Sequence, residues 1–166
     1  MRKALLSFWS LDGGEQGLGN AFLLDQPLTA FFASRQCPGT TIRAAMDWAI
    51  EHARTKNPVI GGFHSSLEQS VLKVLLTAKA PCVIVLARKF DQQRLSSDWL
   101  SGIHNGTVAV VSMEDTKRRL TAELAARRND WIARRAGQII IAPSEGGLLQ
   151  QQSEQWVTSG LDVHLL

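Results

Sequence analysis

The sequence lacks the features that mark secreted, membrane-spanning and disulfide-stabilised proteins. Its 166 residues include only two cysteines, Cys37 and Cys82, too few for a disulfide framework or a four-ligand zinc site. No apolar run approaches the roughly 18 residues that a membrane span needs. The first residues also lack the sustained apolar stretch found in secretory signals. We therefore predict a cytoplasmic protein with no membrane partner.

Two common nucleotide-binding motifs are missing as well. No Gly-x-Gly-x-x-Gly follows the first predicted strand, and Gly-x-x-x-x-Gly-Lys-Ser/Thr occurs nowhere in the chain. These absences argue against ordinary dinucleotide binding and P-loop hydrolysis. No metal site is predicted, because the histidines are not spaced like metal ligands: His52, His64, His104 and His164.

The composition instead favours one ordinary folded domain. Hydrophobic residues make up 45% and charged residues 20% of the chain, and a chain of this length fits a single domain. Residues 1–27 contain glycine-rich turns without a regular pattern, so we predict an N-terminal extension packed on the core. Residues 28–166 are predicted to form a single Rossmann-like domain.

Short apolar segments alternate with helical segments from residue 28 onward. Six apolar segments are predicted strands: 28–33, 59–62, 81–87, 107–111, 138–142 and 162–166. Between the first two, apolar residues recur at helical spacing, as at Ile42, Ala45, Met46 and Ala49. Continuous apolar strands separated by helices indicate a parallel sheet that is buried on both faces. The predicted fold class is therefore α/β, a doubly wound, mostly parallel sheet with helices on both faces.

Polar residues and glycines cluster after the predicted strands, where ligands of such sheets bind. They follow the first, second, third and fifth strands: Ser34, Arg35, Gly39, Thr40, Gly61, Gly62, His64, Ser65, Ser66, Lys89, Gly146 and Gly147. Loops of this kind lead into helix N-termini, whose free N–H groups and dipoles attract anions, typically phosphate. Arg35 and Lys89 add positive charge. The alternative is that the glycines only form tight turns and the serines only cap helices.

Several stretches resemble one known family in the same order along the chain. Phe31-Phe32-Ala33-Ser34-Arg35 with Gly39, then Val59-Ile60-Gly61-Gly62-Phe63-His64-Ser65-Ser66-Leu67-Glu68, resemble the Rossmann-like domain of the DNA-processing protein A (DprA/Smf) family. Arg128-Asn129-x-Trp131-Ile132-Ala133, the strand at 138–142 and Gly146-Gly147 resemble that family's later motif. The family belongs to a wider group with the molybdenum-cofactor carrier-like proteins and the lysine-decarboxylase-like "Lonely Guy" phosphoribohydrolases.

This resemblance implies a sheet whose strand ends bind a nucleotide or single-stranded DNA, commonly in a homodimer or higher homo-oligomer. It adds Arg128 and Asn129 to the candidate residues that bind ligand or phosphate. We therefore predict a protein that binds a nucleotide-derived ligand or single-stranded DNA. No cofactor is required in this interpretation, and a bound nucleotide or phosphate is the expected ligand.

An alternative is a phosphoribohydrolase that cleaves the N-glycosidic bond of a nucleoside monophosphate. Glu68 would then stabilise an oxocarbenium-like ribose or activate water, and Arg35 would hold the phosphate through two hydrogen bonds. However, Glu68 lies in the first turn of a predicted helix, where the helix dipole favours a carboxylate without any catalytic role. Non-catalytic binding is therefore favoured, and a scaffold that has lost its pocket function is a third hypothesis.

The positive charge is concentrated in one predicted helix. Residues 117–135 contain seven basic and two acidic residues, a net charge of +5, whereas the whole chain carries +3. Such a distribution suits contact with the phosphate backbone of a nucleic acid. The alternative is a helix face that is simply solvated. The basic residues are Lys117, Arg118, Arg119, Arg127, Arg128, Arg134 and Arg135.

Overall fold

The computed structural model describes residues 8–87, 89, 95–113, 121–144 and 146–166. Its strands are β1 (Phe8–Ser10), β2 (Gln16–Gly19), β3 (Thr29–Ala33), β4 (Val59–Gly61), β5 (Cys82–Leu86), β6 (Val108–Ser112), β7 (Gln138–Ala142) and β8 (Val163–Leu165). Its α-helices are α1 (Gly39–Thr55), α2 (Ser66–Thr77), α3 (Ser97–Asn105), α4 (Ala122–Arg135) and α5 (Gly147–Thr158). A 3-10 helix, Ala21–Asp25, lies between β2 and β3.

The strands of the described residues form one sheet in the order β1-β2-β6-β5-β4-β3-β7-β8. All neighbours from β6 to β8 in this order are parallel, whereas β1 and β2 are antiparallel additions at the β6 edge. The predicted class, a doubly wound and mostly parallel α/β sheet, is confirmed. The chain builds the sheet outward from β3 through β4, β5 and β6, and then crosses back to place β7 on the other side of β3. The strand order therefore reverses between β3 and β7.

Apolar side chains project from both faces of the sheet, which explains the continuous apolar strand segments. Every residue of β3 and β6 is buried. Phe31 faces α1, α2 and α3, and its ring stacks on Trp48 with centroids 5.2 Å apart. Phe32, the next residue, faces α4 and α5 and packs against Trp156 at 4.9 Å. Each face of the sheet thus has its own hydrophobic core.

The N-terminal segment contributes two strands that the sequence pattern did not predict. A Cβ at Gly17 in β2 would collide with the Trp9 ring, and the Trp9 Nε1 donates to the Gly19 carbonyl at 2.9 Å. Because glycine carries no side chain to show an alternating pattern, β2 is specified by its neighbours and not by its own sequence. The predicted domain boundary at residue 27 stays a prediction.

The basic helix α4 begins later than predicted. Its N-cap is Thr121, whose hydroxyl accepts a hydrogen bond from the Leu124 N–H at 3.1 Å. The prediction began this helix at Lys117, and residues 117–120 lie outside the described residues. None of the helices in the described part of the chain is long and apolar enough to cross a membrane.

Candidate functional site

A cavity of about 980 Å³ lies beyond the carboxyl ends of β3 and β7, where the strand order reverses. Its lining comes from the loops after β3, β4 and β7 and from the N-terminal parts of α2, α4 and α5. The structure therefore brings together predicted site residues from four separate parts of the sequence. Those that line the cavity are Ser34, Arg35, His64, Ser65, Glu68, Arg128, Asn129, Gly146 and Gly147.

The remaining predicted site residues do not line this cavity: Gly39, Thr40, Gly61, Gly62, Ser66 and Lys89. Gly62 lies beside the cavity, against the Arg128 side chain. Lys89, which we expected to add charge, is exposed beyond β5, two strands away from β3. A second cavity of about 670 Å³ lies between α1 and α2, and its lining includes none of the predicted site residues.

Glu68 lies at the cavity wall, but its carboxylate is occupied by backbone N–H groups. Oε1 accepts from the N–H groups of His64 and Ser65 at 3.1 and 2.9 Å. Oε2 accepts from the Ala33 N–H at 3.2 Å. The Ser65 hydroxyl accepts in turn from the Glu68 N–H, which completes a capping box at the start of α2. The carboxylate thus ties the end of β3 to the start of α2 and holds two loops of the cavity together.

The helices that begin beside the cavity differ in how their first N–H groups are satisfied. Ser65 and Thr121 cap α2 and α4 through their side-chain oxygens. By contrast, α1 follows Pro38 and α5 follows Gly146, and neither of these residues supplies a side-chain cap. These two helices also follow β3 and β7, the strands on either side of the reversal. Of the two, only α5 brings its first turn to the cavity, where Gly147, Leu148 and Leu149 are among the lining residues, while the Gly146 N–H donates to the Gln150 Oε1. The N-terminal end of the α5 dipole therefore favours an anion in the cavity.

The loop between β7 and α5 depends on its pair of glycines. Gly146 and Gly147 have φ angles of +73° and +84°, a conformation that residues with a Cβ rarely adopt. A Cβ at either position would have open space around it, so the glycines are required by backbone conformation and not by crowding. This conformation lets the chain turn into α5 at the edge of the cavity.

Arg128 places a buried positive charge at the cavity. It is 7% exposed, and its guanidinium lies so close to Gly62 that a Cβ there would be 2.5 Å from Nε. Nε and Nη2 donate to the Asn129 Oδ1 at 3.3 and 3.2 Å. Burial lowers the pKa of Arg128, and the nearby Glu68 carboxylate partly opposes that shift. Because arginine stays protonated in proteins, the cavity contains a desolvated cation that makes no ion pair among the described residues.

The arginines at the C-terminal end of α4 have partners on their own helix. Arg134 pairs with Asp130 at 2.8 Å, and the Arg135 guanidinium lies over the Trp131 ring, 4.1 Å from its centroid. Arg134 and Arg135 are therefore engaged on the helix itself, whereas Arg128 lines the cavity. Three further basic residues of the predicted helix lie outside the described residues: Lys117, Arg118 and Arg119.

A buried glutamine that was not predicted from the sequence, Gln152, lies behind Arg128 and Asn129. Gln152 on α5 is 7% exposed, its Nε2 donates to the Ala126 carbonyl at 2.9 Å, and its Oε1 accepts from the Asn129 Nδ2 at 3.2 Å. The sequence contains a signal for it, since Leu149, Gln152 and Trp156 follow helical spacing and place a polar residue on an apolar stripe. Other polar or reactive lining residues that were not predicted are Gln36, Cys37, Thr121 and Ser144.

Comparison with solved structures confirms the resemblance at the level of the fold. DNA processing protein A from Helicobacter pylori, whose structure was studied for its single-stranded DNA binding mode, matches with a TM-score of 0.74 at 12% identity, over 96% of this chain and 80% of that protein. DNA processing protein A from Streptococcus pneumoniae matches with a TM-score of 0.74 at 17% identity, over 98% of this chain and 63% of that protein. The present chain therefore spans less than two thirds of the pneumococcal protein.

A third solved structure has the same general architecture. The molybdenum cofactor carrier protein from Chlamydomonas reinhardtii matches with a TM-score of 0.55 at 10% identity, over 84% of this chain and 76% of that protein. No family model matches the sequence, and no curated protein matches it. The comparisons thus establish a Rossmann-like fold of this kind, and the ligand has to be inferred from the site itself.

Proposed function

We propose that this protein binds a phosphate-bearing nucleotide ligand in the cavity beyond β3 and β7. The ligand that we favour is single-stranded DNA. The observation that carries the proposal is Arg128, a buried guanidinium without an ion pair among the described residues. A buried charge is costly unless an opposite charge compensates it. The nearby Glu68 carboxylate compensates the Arg128 charge only in part. A phosphate would add to this compensation, because its oxygens accept charge-assisted hydrogen bonds from a guanidinium.

Two further features of the cavity suit a phosphate beside Arg128. The helix α5 begins at Gly147 in the wall of the cavity, and its N-cap residue Gly146 supplies no side-chain cap; a helix N-terminus favours an anion. Arg35 lines the same cavity from the loop after β3. The volume of about 980 Å³ is at the upper end of the usual range for small-molecule sites, about 300–1,000 Å³. This volume suits a nucleotide unit better than a free phosphate ion.

Single-stranded DNA is favoured over a free nucleotide because of the fold comparison. The H. pylori protein, described by its single-stranded DNA binding mode, shares the fold over 96% of this chain. The family resemblance also leads us to propose a homodimer or higher homo-oligomer. Sedimentation equilibrium then has to give at least twice the chain mass of 18.2 kDa, and a single-chain mass at all concentrations contradicts this part of the proposal.

The phosphoribohydrolase alternative gains no support from the site. Such an enzyme needs a carboxylate that can reach the ribose or a water molecule. Among the described lining residues, Glu68 is the one carboxylate, and its two oxygens already accept three backbone N–H groups. We therefore assign Glu68 to the support of the loops and propose a binding function without catalysis.

A thermal-shift screen tests the proposed function. The probes are a single-stranded oligothymidylate, nucleoside monophosphates, the corresponding nucleosides and inorganic phosphate, each at low and high salt. We expect the phosphate-bearing nucleotides and the oligonucleotide to raise the Tm, because ligands that bind only the folded state stabilise it, and we expect high salt to weaken the effect. Nucleosides that stabilise the protein as well as their phosphates do, or an unchanged Tm with every probe, would overturn the proposal.

A further inference from the structure

The side-chain amides of Asn129 and Gln152 form a directional hydrogen-bond chain behind Arg128. The chain begins at the Ala126 carbonyl oxygen, which can only accept, and ends at the guanidinium, which can only donate. Gln152 Nε2 donates to the Ala126 oxygen at 2.9 Å, and Asn129 Nδ2 donates to Gln152 Oε1 at 3.2 Å. Arg128 Nε and Nη2 then donate to Asn129 Oδ1 at 3.3 and 3.2 Å.

The fixed ends of this chain determine the orientation of both amides. If the Gln152 amide turned by half a rotation, its oxygen would face the Ala126 oxygen and its NH₂ group would face the NH₂ group of Asn129. If Asn129 alone turned, its NH₂ group would face the Arg128 guanidinium. Either change would bring like groups together at a site where Gln152 and Arg128 are each only 7% exposed. Buried polar groups that lose their partners destabilise the folded state.

This hydrogen-bond chain also determines which guanidinium nitrogen of Arg128 is left to bind a ligand. Nε and Nη2 are used by Asn129, whereas Nη1 makes no hydrogen bond to the described residues. We propose that Gln152 is a positioning residue, which acts through Asn129 to hold the Arg128 guanidinium in the orientation that meets a ligand phosphate. This inference rests on the proposed function of the cavity, and Gln152 itself is not among the residues that line it.

NMR of the ligand-free protein tests the positioning directly, because the Arg128 Nε–H resonance reports the hydrogen bond to Asn129. Gln152→Met keeps the length of the side chain and removes both polar groups, so we expect this resonance to shift and to exchange faster with water. Gln155→Met is the matched control, since it makes the same change at an exposed position of the same helix, and it has to leave the resonance in place. An unchanged Arg128 resonance in Gln152→Met overturns the proposal.

Binding of a fluorescein-labelled oligothymidylate tests the route through Asn129. We expect Gln152→Met to lower the affinity by about three- to tenfold, which corresponds to the typical net free energy of one hydrogen bond. In an Asn129→Leu background the same substitution has no further effect, because the chain is already broken. Equal losses in both backgrounds would overturn the proposed route. If the wild-type protein binds no oligonucleotide or nucleotide while the Arg128 resonance still responds to Gln152→Met, the positioning stands and the proposed function fails.

Asn129→Asp tests the same chain if Gln152→Met does not fold. Carboxylate oxygens can only accept, so Gln152 has to turn its NH₂ group from the Ala126 carbonyl toward residue 129. We expect the side-chain NH₂ resonances of Gln152 to shift in this variant, while the Arg128 Nε–H remains hydrogen-bonded. Gln152 resonances that stay at their wild-type positions would show that the chain does not set its orientation, which contradicts the proposal.

Discussion

Gly62 and Arg128 are in direct contact at the candidate site, although they come from different elements. A Cβ added to Gly62 would lie 2.5 Å from Nε and 2.6 Å from Cζ of the Arg128 guanidinium. Gly62 follows β4, and Arg128 lies on α4, so the contact forms only when the sheet and this helix pack together. The missing side chain at position 62 is therefore what leaves room for the buried cation beside the cavity.

Gly62→Ala is expected to displace the Arg128 guanidinium and weaken anion binding. Because both groups are buried, we also expect the overpacking to lower the free energy of unfolding by about 1–3 kcal/mol. Isothermal titration with an oligothymidylate and chemical denaturation measure the two effects. Gly137→Ala is the control, since the nearest atom to a Cβ there is 3.9 Å away. Gly137 precedes β7 and therefore lies at the amino-terminal ends of the strands, whereas the cavity lies beyond their carboxyl ends. Equal oligonucleotide affinity in Gly62→Ala and the wild type would contradict the role of this contact.

Glu68→Gln is expected to destabilise the fold. A glutamine has only one side-chain oxygen, so it can keep the N–H groups of His64 and Ser65 but presents its NH₂ group to the Ala33 N–H. The Ala33 donor is then left unsatisfied, which costs about 1–3 kcal/mol in the free energy of unfolding. Urea denaturation measures this value, and exposed Glu154→Gln serves as a control with an effect within about 0.5 kcal/mol. A fully stable Glu68→Gln variant would show that the three backbone hydrogen bonds do not support the fold.

His52 is expected to make the protein less stable in mild acid. Burial lowers the pKa of His52 below its ordinary value of 6.5, and the nearby backbone of Asn57 only partly offsets this. The unfolded chain therefore binds more protons at this group, so the free energy of unfolding falls as the pH drops below about 6.5. His52→Phe retains a ring beside Trp48, with which His52 stacks at 4.9 Å, and removes the titration.

The measurement for His52 is denaturant unfolding at a series of pH values between about 7 and 5. We expect the loss of stability on acidification to be smaller in His52→Phe than in the wild type. Trp99→Phe changes a partly buried aromatic residue on α3 that does not titrate, and it has to keep the wild-type dependence. The same pH dependence in His52→Phe and the wild type would refute the assignment.

Trp131→Phe is expected to weaken the attachment of the N-terminal strands. The Trp131 Nε1 donates to the Glu15 Oε1 at 2.8 Å, while the Glu15 Oε2 is buried without a partner in the described part of the chain. Loss of the indole N–H leaves this carboxylate unsatisfied and lowers the free energy of unfolding by about 1–3 kcal/mol. Trp99→Phe is the control, because the Trp99 indole N–H makes no hydrogen bond to described residues. Similar losses of stability in the two variants would exclude a specific role for the Trp131 bond.

The central strands could be predicted from the sequence because burial on both faces requires continuous apolar runs. The segments at 28–33 and 138–142 are such runs, and the structure places β3 and β7 there. The antiparallel strands β1 and β2 could not be predicted in this way, because Gly17 is required by the Trp9 ring of a neighbouring strand and leaves no alternation to detect.

The cavity lies at the carboxyl ends of parallel strands, where the sequence predicted a ligand site. Ser34 and Gly146 were predicted on that basis, and both line the cavity. The hydrogen bonds of Glu68 and Gln152 could not be predicted, because they depend on which N–H and C=O groups lie within reach after the helices have packed. The count of charges along the helix did not distinguish Arg128 from Arg134 and Arg135. In the structure Arg134 forms an ion pair on its own helix, Arg135 lies over a tryptophan ring, and Arg128 is buried.

The most direct test of the account compares three proteins in binding a labelled single-stranded oligothymidylate at several salt concentrations. They are the wild type, Arg128→Met, and the double variant Arg134→Gln/Arg135→Gln, with thermal unfolding to establish that each is folded. We predict that Arg128→Met lowers the affinity at least about tenfold, as expected for loss of a hydrogen bond between charged groups. The double variant should change it by no more than about twofold, since exposed charges are screened by salt. A larger loss in the double variant than in Arg128→Met would contradict binding in the cavity.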